Sequence, residues 1–554
     1  MESVVKEHGV TMFGTTRITN CAFADDVNLM ARSVSSAQEL LNIFEKALSW
    51  TRCLKAAPSK FACIAYGKCD DKKEFSQFGP KLSYPYLGQG HTLLRLLGRQ
   101  FSVGLNEINV REYVRDRVFE ILDKIDKDII APHLKLDILE KCISYFRWNF
   151  MVHPIPPSWI EEHIRPKYIE YIKKWLGGRR CQNTNLYFAR KGIGLGLTDI
   201  TELAKECQVL RCFQLKHSRD PLVQHLFIAE TTRITPNRSM TAISHHWKGP
   251  IELEIFEKKA KDLCANLWLR MNFHARRRKI LQLMKEVSQE QHLHALEALE
   301  MQGSAVRESK LDSSDNGFEW TRTLTSLSPK LLSFGVNGIT NTLATSDNLK
   351  RWGIIQVDEK CDLCGDIRPT ITHVLSMCKG ALGEIGDSFN RVKWRHDCVL
   401  KKIYDSVVTN LHAKGYQEHH VDLSDHVDEY KEFPTELIIT EQRPDMIFVN
   451  RKDRKVIIAE LTVPMENRLQ VSTQLKTDKH SSLVKNLTRY GWDTKFFAVE
   501  VSTRGFINSS LSDFLQFINF GKGNSRSLKH TLSVESLECS RRIFNNRKKK
   551  FWGS

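Results

Sequence analysis

Cys361-Asp-Leu-Cys364, His373 and Cys378 set the tightest condition on how this chain folds. The intervals between them are two, eight and four residues. Three thiols and an imidazole so spaced are the complement of a closed tetrahedral Zn²⁺ site. Gly365 comes directly after the first pair, where the chain must turn tightly around sulfur. Four protein ligands leave no position for water, so the predicted zinc is structural. The chain has 14 cysteines. Most of the others are scattered through helical stretches and read as buried small hydrophobes in a reducing setting.

The second constraint is Arg443-Pro444-Asp445 together with the two apolar runs after it. Met446 to Val449 and Val456 to Val463 are apolar and β-rich, and the charged Asn450-Arg-Lys-Asp-Arg-Lys455 lies between them. The pattern predicts a β-hairpin. Alternation puts Ile458, Glu460 and Thr462 on one face, with Ile457, Ala459, Leu461 and Val463 on the other. A lone Glu in an apolar strand is costly to bury unless something positive neutralises it. Asp445, at the start of the neighbouring strand, can stand beside Glu460. Two converging carboxylates repel unless a divalent cation lies between them, and oxygen ligands of this kind suit Mg²⁺ or Mn²⁺. Lys476 and Lys479 lie three apart in a polar, helical stretch and share one helix face. An ordinary strand with a surface Asp and a salt-bridged Glu is the plainer reading of the same residues.

Over 554 residues the formal net charge is +17, which suits a polyanionic partner. His274-Ala-Arg-Arg-Arg-Lys279 reads as a phosphate-contacting or simply solvated helix face. Arg541 to Trp552 is basic with aromatics interleaved, which fits a DNA grip, a nuclear import signal or a solubilising tail. No apolar run is long enough to span a membrane, and the start has no apolar signal core. A nuclear, intracellular location is therefore expected.

The pieces, taken in order, resemble a known family. Pro444-Asp445, fourteen residues and then Glu460 are similar to the PD-(D/E)xK nuclease motif, with Thr462 where its simplest form has lysine. Arg443-Pro-Asp445, then Glu460-Leu-Thr-Val-Pro464, then displaced lysines resemble the restriction-like endonucleases of non-LTR retrotransposons. The cysteine–histidine set resembles the CCHC element of the same group, with its flanking Leu349-Lys-Arg-Trp352-Gly and Trp394-Arg-His-Asp397. Phe23-Ala-Asp25-Asp26 resembles motif C of reverse transcriptases, at the tip of a predicted hairpin. Ser36 to Glu39 reads as a capping box opening a helix with Ala37, Leu40, Leu41, Phe44 and Leu48 on one face. Lys60 stands in the motif D lysine place, and Leu96-Leu97-Gly98 resembles the primer grip. Lys173, Lys174, Trp175, Gly177 and the turn Gly192 to Leu197 match the thumb.

The resemblance implies a multidomain α/β protein. It comprises a partial reverse-transcriptase palm (1–100), an all-α thumb and linker (101–330), a small zinc element (331–400), a PD-(D/E)xK-like α/β nuclease core (401–525) and a basic tail (526–554). Val114, Val118, Ile121, Leu122, Ile125 and Ile129 make a thumb core stripe, and Ser304 to Gly317 the flexible linker. In the family the nuclease nicks DNA and the exposed 3′-hydroxyl primes reverse transcription of the element's RNA. Target DNA and element RNA are thus the expected partners. Asp445 and Glu460 are expected to hold catalytic Mg²⁺, with Lys479, assisted by Lys476, on the water and the phosphate. Glu466 reads as a locally paired acid or an accessory one. Asp25 and Asp26 form an incomplete magnesium site. Only 24 residues precede Asp25, and no acid in a strand among them supplies the third palm carboxylate, so the chain reads as the C-terminal part of a polyprotein, inactive in DNA synthesis. The alternative is a non-catalytic remnant that still binds nucleic acid.

Overall fold

The computed structural model describes residues 2–12, 16–23, 26–55, 93–96, 99–102, 107–153, 155–177, 184–221, 223, 224, 227, 249–309, 317–354, 360–366, 369–386, 388–421, 436–550 and 552. The fold is mixed α/β, mostly helical, with small sheets. Two compact units divide it: 1–124 with 142–168 and 199–285, and 125–141 with 169–198 and 286–554. The predicted 101–330 helical segment is mostly helical in its described parts, and both units draw on it.

In the first unit, Asn20–Phe23 and Asp26–Leu29 pair antiparallel, as the predicted hairpin requires. Asp26 is exposed at its mouth, while Asp25 and Lys60 lie outside the described residues. Leu93–Leu96 and Arg99–Ser102 form a second hairpin, whose tip at 97–98 is also outside them. The helix Val34–Thr51 buries or half-buries the predicted apolar face. Its cap is Ser33, whose side chain accepts from the Ser36 N–H, so the capping position lies three residues before the one predicted. A serine three residues earlier competes equally well for the first free N–H groups.

The basic tract opens the helix Phe273–Glu297. Arg276 donates to the carbonyls of Trp268 and Leu269 at 3.2 Å and lies over the Trp268 ring. It donates to carbonyls at the end of the preceding helix, so it is not free for phosphate.

The second unit contains a four-stranded sheet, and its elements run in one continuous stretch. They are α1 (Arg391–His412), β1 (Gln417–Val421), β2 (Met446–Asn450), β3 (Lys455–Thr462), α2 (Leu469–Arg489) and β4 (Asp493–Glu500). The strand order is β4-β3-β2-β1. β2 pairs antiparallel with β1 and β3, while β3 and β4 are parallel. Parallel neighbours need a crossover, and α2 provides it. β2 and β3 are buried on both faces, which explains their nearly unbroken apolar runs. One face packs Val399, Leu400, Ile403 and Val407 of α1 against Phe448, Ala459 and Leu461. The other packs Leu483 and Leu487 of α2 against Ile447, Val449, Val456 and Ile458.

Three segments depart from expectation. Ile129 is fully exposed, because the helix carrying the stripe ends at Lys127. Ser304–Glu308 of the predicted linker is a short helix that buries Ala305 and Val306; 310–316 lie outside the described residues. The predicted tail forms most of a helix, α3 (Lys522–Asn545), with Leu528, Leu532, Leu537, Ile543 and Phe544 buried. Ser533, Ser536 and Ser540 share one buried stripe of α3, small enough to let the helix lie close to the 502–505 backbone. Ser536 donates to the Ser502 carbonyl at 2.7 Å and Ser540 to that of Thr503 at 2.5 Å. Basic side chains hid this helical period. Beyond it Trp552 packs on Trp394 with ring centroids 5.0 Å apart, and Arg391 lies over its ring.

Glu466 is a structural acid. It is buried, accepts from Ser502 Oγ at 2.6 Å and from Arg504 Nε at 2.7 Å, and pairs again with Arg504 Nη2. Arg504 Nη1 also donates to the Gly338 carbonyl. Removing one partner leaves the other charged and buried. Glu466→Gln is expected to destabilise this unit by about 3 kcal/mol, read as a lower denaturant midpoint. Lys452→Ala, in the exposed hairpin turn, is expected to leave the midpoint unchanged.

Candidate functional site

Register brings the two acids together. Met446 faces Ala459 across the β2–β3 pair, so one step further Asp445 stands opposite Glu460. The bonds are reciprocal: the Asp445 N–H donates to Glu460 Oε2 at 2.9 Å, and the Leu461 N–H to Asp445 Oδ2 at 2.6 Å. Both side chains are buried, Glu460 at 1% exposure.

α2 contributes the positive charge. Lys476, Lys479 and His480 share a helix face, being three and four residues apart. Lys476 Nζ lies 2.5 Å from Glu460 Oε1, Lys479 Nζ 3.7 Å and His480 Nε2 3.4 Å. Burial pushes the Glu460 carboxyl up. The His480 contact, the Lys476 charge and the Asp445 N–H outweigh burial and bring it down to about 2. His480 is wholly buried, and its Nδ1 is 3.2 Å from Gln442 Oε1. Lys476 is 28% exposed and Lys479 51%, so Lys479 is the ammonium open to an incoming ligand. Thr462, where the simplest motif has lysine, buries its Oγ1 without a hydrogen-bond partner among the described residues.

α1 completes the site with residues that sequence reasoning did not place there. His396 Nε2 lies 3.2 Å from Asp445 Oδ2 and 3.3 Å from the Leu461 carbonyl oxygen. Its Nδ1 is 3.0 Å from Asp397 Oδ1. Burial disfavours charge on the ring, but the hydrogen bonds with Asp397 and Asp445 outweigh it and raise the pKa to about 10. The only advance signal is the family-like run Trp394-Arg-His-Asp397; nothing local ties it to a strand 49 residues away.

The donor atoms at this sheet end are oxygens. They belong to two carboxylates and the Leu461 carbonyl, and no described residue bonds Asp445 Oδ1. Protein N–H groups and Lys476 already engage the other carboxylate oxygens. Among the described residues, groups of three or more His, Cys, Asp or Glu with ligand atoms within 4.8 Å of one another are Cys361, Cys364, His373 and Cys378, and separately Cys398, Glu535 and Cys539. Asp445, Glu460 and Asp26 belong to no such group.

The predicted zinc residues do converge. Cys361 Sγ and Cys378 Sγ are 3.7 Å apart, and Cys364 Sγ and His373 Nε2 are 3.4 Å apart. A tetrahedron with zinc–sulfur bonds of about 2.3 Å has edges of about 3.8 Å. Gly365 has φ +77°, the left-handed turn expected after the first pair. The Cys378 thiol, His373 and the backbone N–H groups of Leu363 and Cys364 hold the Cys361 thiol at about 3, against its burial. The thiolate is the form a metal requires. This cluster can hold a metal ion and is compatible with structural zinc.

The arginines beside the cluster brace the protein. Arg395 is buried and donates to the Leu375 carbonyl at 2.9 Å, Ser540 Oγ at 3.2 Å and the Val463 carbonyl at 3.3 Å. Arg391 donates to the carbonyls of Asn546 and Lys549, beyond the end of α3.

No family model matches the chain, and no curated protein matches it. Among the described residues no helix is long and apolar enough to cross a membrane.

Zinc content is the direct measurement on the cysteine cluster. The purified chain is expected to carry zinc that Cys364→Ser loses, with unfolding of residues 361–378 seen as faster amide exchange there. Unchanged zinc in that variant removes the assignment.

Proposed function

We propose that this chain is part of a non-LTR retrotransposon reverse transcriptase/endonuclease, and that the Asp445–Glu460 sheet end nicks DNA in a reaction that depends on a divalent cation. One observation carries the reading. Two acids meet side by side on neighbouring strands, under lysines from the helix that crosses over to the next strand. A hairpin carrying the two acids, a helix carrying the lysines and then an apolar strand follow one another in the order that the nuclease resemblance implies. The neighbouring zinc cluster and the net charge of +17 support the same assignment.

Asp445 and Glu460 would hold the cation, which when bound would supply Lewis acidity. Lys476 keeps Glu460 ionised and fixed in place. Lys479, the more exposed of the two, reaches the scissile phosphate and orients the attacking water. The water oxygen bonds to phosphorus, the P–O3′ bond breaks, and the leaving 3′-oxygen takes a proton. The product is a nick with the free 3′-hydroxyl that target-primed synthesis needs. Synthesis itself is not assigned to this chain.

A second reading is a non-catalytic nucleic-acid-binding remnant, favoured by the engagement of Glu460 by Lys476, His480 and the Asp445 N–H. Plasmid nicking with Mg²⁺ or Mn²⁺ separates the two. The wild-type chain is expected to nick, Asp445→Asn to fall to background, and Lys479→Ala to lose about 10²-fold. Equal activity in wild type and Asp445→Asn, or none in either, leaves only the binding role. Primer extension on an RNA template is expected to give no product; extension that depends on Asp25 and Asp26 would contradict the assignment.

A further inference from the structure

His396 has no part in the motif that the two acids form, yet its contacts are those of a ligand. Its Nε2 is 3.2 Å from Asp445 Oδ2 and 3.3 Å from the Leu461 carbonyl oxygen. Neighbouring ligands of an octahedral cation with bonds of about 2.1 Å stand about 3 Å apart. Nε2 therefore stands at a neighbouring-ligand distance from each of the two oxygens. The far side of the ring adds an independent observation. Nδ1 lies 3.0 Å from Asp397 Oδ1, and Asp397 is itself nearly buried. A carboxylate on one ring nitrogen is the usual device for fixing tautomer and orientation when the other nitrogen binds a metal. α1 holds the ring rigidly, because Val399, Leu400 and Ile403 of the same helix pack on the sheet.

We infer that His396 is the nitrogen ligand of the cation site at Asp445, oriented by Asp397, and that the site consequently takes Mn²⁺ in preference to Mg²⁺. The inference rests on the proposed cation at Asp445. One imidazole among oxygens moves a site away from Mg²⁺, which favours oxygen, toward transition metals that accept nitrogen. Asp397 touches neither the cation nor the substrate; it is a positioning residue.

The experiment uses the full chain, with its zinc in place and Mn²⁺ as the probe. Binding is followed by electron paramagnetic resonance, and nitrogen coordination by the electron spin echo modulation of bound Mn²⁺. The expected result is bound Mn²⁺ with imidazole nitrogen modulation, and affinity at least ten times that for Mg²⁺ measured by competition. Asp445→Asn is expected to abolish binding. His396→Gln is expected to remove the modulation, and Asp397→Asn to weaken binding about 10- to 100-fold with zinc content unchanged. Should His396→Gln fail to fold, the wild-type echo spectrum and Asp397→Asn still decide. Bound Mn²⁺ without nitrogen modulation, an equal preference for Mg²⁺, or no bound Mn²⁺ overturns the inference. Nitrogen-coordinated Mn²⁺ in a chain that nicks nothing removes the proposed function and leaves the ligand assignment standing; nicking without nitrogen coordination does the reverse.

Discussion

Two buried carboxylates stand opposite each other at one end of a β-ladder, and the surrounding structure is arranged to make that tolerable. Each acid is met by the backbone of the other's strand: the Asp445 N–H serves Glu460, and the Leu461 N–H serves Asp445. These two bonds need the 446–459 register, since a slip of one residue would turn Glu460 to the opposite face. Desolvating carboxylates this thoroughly is expensive unless cations answer them. Lys476 and Lys479 answer from the crossover helix on one side, with the His480 ring beside them, and His396 from the preceding helix on the other. The charges on both helices and the sheet register are thus parts of one solution.

The same unit handles its other buried charges differently. Arg504 finds Glu466, whereas Arg395 is buried with carbonyl and hydroxyl acceptors. Both tie the 502–505 turn and the C-terminal helix to the sheet, through Ser540 in one case and the Glu466 pair in the other. Trp320 Nε1 donates to the Arg504 carbonyl at 3.0 Å and reinforces the same turn. The sheet end is therefore held from behind by a polar lattice reaching residues 320 to 540. A rigid support of this kind keeps site groups within the tolerance that chemistry demands.

Short-range features are legible in the sequence. The hairpin at 446–463, the apposition of Asp445 and Glu460, the shared face of Lys476 and Lys479 and the convergence of the three cysteines with His373 all come from period or spacing within about twenty residues. His396 and Arg395 are not legible as site and brace, because their partners lie 49 and 145 residues away and only tertiary packing chooses them. The C-terminal helix is obscured for another reason. Its charge density suggests a solvated tail, while three small serines and a leucine stripe carry the packing. At the N-terminal hairpin, strand pairing is readable, and Asp26 is exposed there, whereas Asp445 is buried.

The claim that a single cation unites α1, β2 and β3 is tested most directly by letting a bound metal report its own neighbours. Fe²⁺ with ascorbate and peroxide generates radicals that cut the polypeptide beside the ion. The account predicts cuts next to His396, Asp445 and Glu460–Leu461, suppressed by added Mn²⁺ and absent in Asp445→Asn. Cuts confined to the cysteine cluster, or a pattern identical in wild type and Asp445→Asn, would contradict it.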